Sequence, residues 1–215
     1  MGKSLGNAAD AFALAQRFGA DSMRYFLLRE APFGSDFSYS EEKIAQRRNS
    51  DLANDLGNLL QRTLSMLARY RDGIVPERGD TNAEFARRFA ALPLTVRARI
   101  LDLRFRDALE TIWELVTALN RTIDERKPWE LHKANRTGEL NAVLYDLCEG
   151  LRWLAILLHP FMPERTREMW EQLGAPGRID EDWSSSLGAW GGLPPITQTA
   201  PAGSLFPKID LALEA

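Results

Sequence analysis

The sequence predicts an all-α protein, an antiparallel helical bundle, on three observations. Apolar residues recur at helical spacing over long stretches, as in Leu52, Leu56, Leu59, Leu60 and Leu67, with Thr63 in step. Capping residues, glycines and prolines punctuate those stretches where helices should start and stop. Neither an internal repeat nor sustained strand alternation occurs. With 215 residues, 45% of them hydrophobic and 27% charged, the chain has enough apolar material for an ample globular core. It divides into a short N-terminal piece (residues 1–37), a helical bundle (38–175) and a loop-rich tail that packs back on the rest (176–215).

Each element has a local cause. Asp10 to Phe18 predicts a short helix ended by Gly19. Asp21 is the expected N-cap of a second helix running to Glu30, whose Met23, Tyr25, Phe26 and Leu27 call for burial on more than one side. Pro32, Gly34, Ser35 and Asp36 make 31–39 a connector. Ser38 and Glu41 have capping-box spacing, so a long helix is expected from about Ser40 to about Tyr70, stopped by Asp72, Gly73 and Pro76. Asp80 to Ala91 predicts a helix, with a break or kink at Pro93. From Thr95 to Glu125 the spacing predicts one long helix burying Leu109, Ile112, Trp113, Val116 and Leu119. Pro128 interrupts. Thr137 to Leu158 predicts a strongly apolar helix closed by His159 and Pro160. Met162 and Pro163 open another that ends near Gly174, and one short extended piece is expected at 205–207.

Several function classes drop out. Cys148 is the single cysteine, so no internal disulfide framework or cysteine-rich zinc site forms. His132 and His159 do not group as ligands, and no metal is expected. The longest apolar run, Trp153 to Leu158, is far too short to span a bilayer, and the start of the chain lacks the regions of a signal peptide. The reading is a soluble, cytoplasmic protein without a membrane partner. Its net charge of -3 hides an asymmetry: residues 43–106 hold thirteen Lys or Arg against seven Asp or Glu, whereas residues 164–215 hold four against eight. A basic segment in an acidic chain fits a nucleic-acid face, and it equally fits helices with solvated sides.

Three groups of residues could carry chemistry. Lys3 and Ser4 sit between Gly2 and Gly6. Glycines let a backbone approach an anion closely, Lys adds a compact charge and Ser a hydroxyl. A P-loop would need a preceding strand and an earlier glycine, and neither is present. Asn54, Asn58 and Arg62 are spaced by four and so share a face of the long helix. Amides and a guanidinium suit the edge of an unpaired base, and they also suit an ordinary wet helix face. Trp129 follows Pro128 at a helix mouth beside Arg126, Lys127 and Lys133. It is either core or an exposed stacking platform.

These groups join in a resemblance. Residues 1–7, Met-Gly-Lys-Ser-Leu-Gly-Asn, resemble the KMSKS signature of class I aminoacyl-tRNA synthetases, and 21–30 resemble the helix that follows it. Residues 49–62 resemble the anticodon-reading helix of methionyl-tRNA synthetases in particular, Arg126 to Leu131 that family's second anticodon element, and Leu205 to Ile209 its C-terminal signature. The likeness covers nearly the whole chain in the family's order. The signature's first lysine has no counterpart, and Gly2 stands where the signature has serine.

The resemblance implies roles. Lys3, with Ser4, corresponds to the loop that closes on ATP and stabilises the pyrophosphate as charge develops. Asn58 and Arg62 correspond to residues that hydrogen-bond anticodon bases, and Trp129 to the ring that stacks on one. The expected partner is the anticodon stem-loop of tRNA(Met). ATP with Mg would serve the full-length ligase, with no tight nucleotide binding expected here. The catalytic nucleotide fold has no counterpart in these residues, so the chain alone is expected not to activate methionine. Two other readings are a half of a split synthetase that works with a separate catalytic chain in trans, and a helical scaffold without tRNA binding.

Overall fold

The computed structural model describes residues 10–79, 83–182 and 190–210. Among them the chain is helical and no strand forms beyond a single antiparallel bridge between Ile74 and Gln198. Helix α1 (Ala11–Phe18) is capped by the Asp10 carboxylate, which accepts from the N–H groups of Phe12 and Ala13, and it ends at Gly19 with φ of 87°. Helix α2 (Ala20–Glu30) follows directly. A small apolar cluster of Leu14, Phe18, Met23, Phe26, Ile44 and Ala45 joins α1 and α2 to α3 (Glu41–Arg47).

The predicted long helix is continuous from Glu41 to Arg71, but it changes winding. Between α3 and α4 (Asn58–Arg71), the residues Arg48–Gly57 form a π-helix. The Asn58 N–H reaches back five residues to the Ala53 carbonyl. Gly57 fits this because a Cβ there would lie 3.0 Å from the Leu52 carbonyl oxygen. The tail lies along the π segment: Arg48 donates to the Pro207 carbonyl, and the Asn49 amide both donates to and accepts from the Ile209 backbone.

The bundle continues with α5 (Ala83–Phe89), α6 (Leu92–Leu101), α7 (Phe105–Arg126), α8 (Pro128–Lys133), α9 (Thr137–Leu158), α10 (Pro163–Gln172) and α11 (Ile179–Asp182). Helix α9 is its axis: every residue from Val143 to Leu158 is buried, against α4, α7, α8 and α10. Leu52, Leu56, Leu59, Leu60, Thr63 and Leu67 are all buried, as their spacing predicts.

Several local expectations are corrected. Asp21 does not cap its own helix; its carboxylate accepts the Arg165 N–H at 2.8 Å and so caps α10, far along the chain. Ser40, not Ser38, caps α3, accepting from the Lys43 N–H. Thr95 to Glu125 is not one helix. The chain turns at Asp102–Arg104, with Leu103 at φ of 59°, and α6 folds back on α7. Pro93 sits in the first turn of α6, where its missing N–H costs nothing. Residues 205–207 are not extended strand; Leu205 and Phe206 are buried in an irregular segment.

A buried charge secures the tail. Glu149, fully buried on α9, is paired with Arg152 at 2.7 Å. Its carboxylate also accepts the N–H groups of Gly191, Gly192 and Leu193, at 2.9, 3.1 and 2.8 Å, and the Trp153 indole at 3.1 Å. Gly192 is flush with the guanidinium: a Cβ would meet the Arg152 side chain at 2.7 Å. Further along, the tail pairs with the loop after α4, with Val75 N–H donating to Thr197 and Thr199 N–H to Gly73, each at 2.9 Å.

Removing Glu149 takes a counter-charge from the buried Arg152 and frees three backbone donors. Glu149→Ala should cost about 3–5 kcal/mol in urea unfolding, and a loss under about 1 kcal/mol would contradict the clamp. His159, at the end of α9, lies 2.8 Å from the Thr166 hydroxyl and 3.3 Å from Asp180. Burial pushes its pKa below the ordinary value, with Asp180 opposing. On acidification the unfolded chain takes up this proton first, so stability falls as pH drops below about 6.5. His159→Gln should flatten that slope in urea midpoints measured across the range.

Candidate nucleic-acid interface

Helix α4 puts residues three and four apart on one face. Asn58, Gln61, Arg62, Ser65 and Met66 form such a face, and the structure sets it against Ile123 of α7 and Trp129 of α8. Together they line an open hollow of about 430 Å³. Two local devices bring Trp129 there. Lys127 adopts left-handed geometry (φ of 44°) and ends α7, and Pro128 starts α8 at once. Pro128 and Leu131 are buried, which turns Trp129 outward.

The exposure of Trp129 settles its place. It is 38% exposed, whereas Trp113, Trp153, Trp170 and Trp190 are between 2% and 9% exposed. It makes no ring contact or side-chain hydrogen bond among the described residues. The Trp129 ring is therefore accessible to a ligand, which the four buried tryptophans are not.

Arg62 is preset by a single ion pair, Nη2 to the Asp124 carboxylate at 2.8 Å. The Asp124 side chain is 66% exposed, so the pair is worth at most about 1 kcal/mol and can open at little cost. Asn58 is exposed and lines the hollow. Asn120 ties α7 to the π segment by donating to the Asp55 carbonyl at 3.2 Å. An aromatic plane, an amide and a guanidinium around one water-accessible space can stack a planar ring and hydrogen-bond its edge.

The structure therefore brings Asn58, Arg62 and Trp129 together. Asn54, exposed within the π segment, is not among the lining residues. The i→i+5 winding moves it off the line that four-residue spacing draws. Gln61, Ser65 and Met66 follow from that spacing and were readable in the sequence, whereas Ile123 and Asp124 come from a different helix and were not. Lys3 and Ser4 lie outside the described residues. Part of the basic segment is spent internally: Arg47 pairs with Glu30 and Asp51, Arg104 with Asp107 and Arg106 with Glu110. Among the described residues no cluster of three metal-ligating side chains occurs, and no helix is long and apolar enough to cross a membrane.

A helical bundle with an exposed ring and polar groups at the joint of two helices can take up a planar ring and bond its edge. Residues 82–199 match the anticodon-binding domain of tRNA ligase, and the chain belongs to that family. Residues 1–64 match a second family, tRNA synthetases class I (M). The particular relatives are methionine–tRNA ligases. That of Caldanaerobacter subterraneus is 43% identical over 221 residues, covering 100% of this chain and 34% of the relative. That of Bacillus subtilis is 40% identical, covering 98% of this chain and 32% of the relative. The chain thus spans about a third of the length of the curated relatives it matches. Mycobacterium tuberculosis methionyl-tRNA synthetase in complex with methionyl-adenylate superposes with a TM-score of 0.87 at 39% identity, over 96% of this chain and 41% of that one.

The exposure of Trp129 is directly measurable. Trp129→Phe should remove a red-shifted, acrylamide-quenchable part of the tryptophan emission with little change in unfolding midpoint. A blue-shifted loss, or marked destabilisation, would mean that the ring packs.

Proposed function

We propose that this chain recognises the anticodon loop of tRNA(Met), as part of a methionine–tRNA ligase. The observation that carries the reading is the convergence of Asn58, Arg62 and Trp129 on one open hollow from two helices far apart in sequence. Trp129 stacks on a splayed anticodon base. Asn58, donor and acceptor at once, and Arg62, a planar fork, bond its edge. Arg62 exchanges a weak exposed partner for the base, so little is lost in the exchange. The unpaired loop supplies what such a site needs, since single-stranded bases leave both face and edge free.

Lys3 and Ser4 belong to this reading at one remove. Beside a catalytic portion, in cis or in trans, they would supply positive charge and a hydroxyl to the phosphates of ATP with Mg as methionyl-adenylate forms. The work of such a ligase is translation, in the cytoplasm.

Anisotropy titration of the chain with a CAU stem-loop tests the reading. CAU should bind more tightly than a scrambled loop, and equal affinities would overturn it. Trp129→Ala should cost about 1–3 kcal/mol of binding. Arg62→Ala should cost about 2 kcal/mol on CAU and little on the scrambled loop, because a lost base contact erodes discrimination.

A further inference from the structure

The same two helices carry a second aromatic surface beside the hollow. Tyr70 lies eight residues beyond Arg62 on α4 and four beyond Met66, so all three share one face. His132 lies three residues beyond Trp129 on α8, again on one face. The two rows meet there. The rings of Tyr70 and His132 stack with centroids 4.5 Å apart and planes 28° from parallel. Tyr70 is half-buried, and His132 is exposed. The Arg69 guanidinium lies 5.7 Å from the Tyr70 centroid, and Arg69 and Lys133 are both exposed.

A stacked pair inside a core is packing. This pair is at the surface, and among the described residues the His132 ring has no other ring contact, ion pair or side-chain hydrogen bond. A half-buried tyrosine thus holds an exposed imidazole flat, with the Arg69 guanidinium over the tyrosine and the exposed Lys133 next along α8. Ring platforms alternating with cations along a track are what a single strand of nucleic acid requires: planes for its bases, charge for its phosphates.

We propose that the Tyr70–His132 pair is a second base-stacking position. It takes the unpaired nucleobase next to the one on Trp129, with Arg69 and Lys133 on the flanking phosphates. The inference rests on the anticodon-loop reading of Trp129 and extends it by one nucleotide. The recognition track then runs along α4 from Asn58 to Tyr70, about 18 Å at the helical rise.

The test uses the full chain and the CAU stem-loop, intact and with single bases removed in turn to leave abasic sites. On the intact loop His132→Ala should bind about tenfold more weakly, and His132→Phe, which keeps a ring, should bind like the wild type. On one abasic loop His132→Ala and the wild type should bind equally, and that site should adjoin the one at which Trp129→Ala loses its effect. Wild-type binding by His132→Ala on every loop, with Trp129→Ala still weakened, overturns the second position and leaves the first standing. An equal loss on every abasic loop means that the pair is structural, and it too overturns the proposal. A wild type that binds scrambled and CAU loops alike ends both readings. Arg69→Gln and Lys133→Gln, at exposed positions, should each make binding less salt-dependent; an unchanged salt slope for both counts against the proposal even if His132→Ala fails to fold.

Discussion

Helix α9 is buried on all sides from Val143 to Leu158, and the rest of the structure depends on how its charged residues are satisfied. A helix with no solvated face cannot leave a carboxylate bare, because the cost of desolvation exceeds what packing returns. Glu149 therefore needs several partners, and Arg152 alone leaves acceptor capacity unused. Three consecutive backbone N–H groups of residues 191–193 and the Trp153 indole fill it. A charge in the core thus specifies where the tail docks, with a geometry that apolar contact alone would not impose. Trp190 packs at a tilt against Trp153 and donates to Asp146, which closes the same joint.

The candidate site inherits its order from this frame. α9 supports α4 on one side and α7 and α8 on others, so the joint between α4 and α8 is set by buried contacts while its lining stays soft. Firm backbone and exchangeable side chains suit recognition of a flexible strand, since preorganisation lowers the entropic cost of binding without filling the site. The π segment adds to this. It ends at Gly57, immediately before Asn58, and the tail residues Pro207 and Ile209 are bonded to its first turn. π-helical turns inside α-helices occur often at functional sites, where they shift which side chains face the ligand.

The bundle was legible in the sequence because apolar periodicity reports directly on burial, and the leucines of the long helix all went where it pointed. The misreadings share a cause. Asp21 has the residue type of a cap, but type alone does not say which helix it caps, and it serves α10. Ser38 and Glu41 have capping-box spacing, yet it is the Ser40 hydroxyl that accepts the Lys43 N–H. The three-residue turn at Leu103 carries neither glycine nor proline, so 95–125 looked like a single helix. The π winding is invisible to a pattern search built on 3.6 residues per turn.

The sequence by itself determined the helical class and the buried stripes, and its resemblance to a known family singled out Asn58, Arg62 and Trp129 as the residues to watch. Those are local properties, written in residue type and interval. Whether Trp129 packs or faces water, whether Asn54 belongs with Asn58, and which helix Asp21 caps were decided only by the tertiary structure. The cap of Asp21 and the surroundings of Trp129 depend on segments far apart in the chain, and Asn54 on a local change of winding that residue spacing does not record.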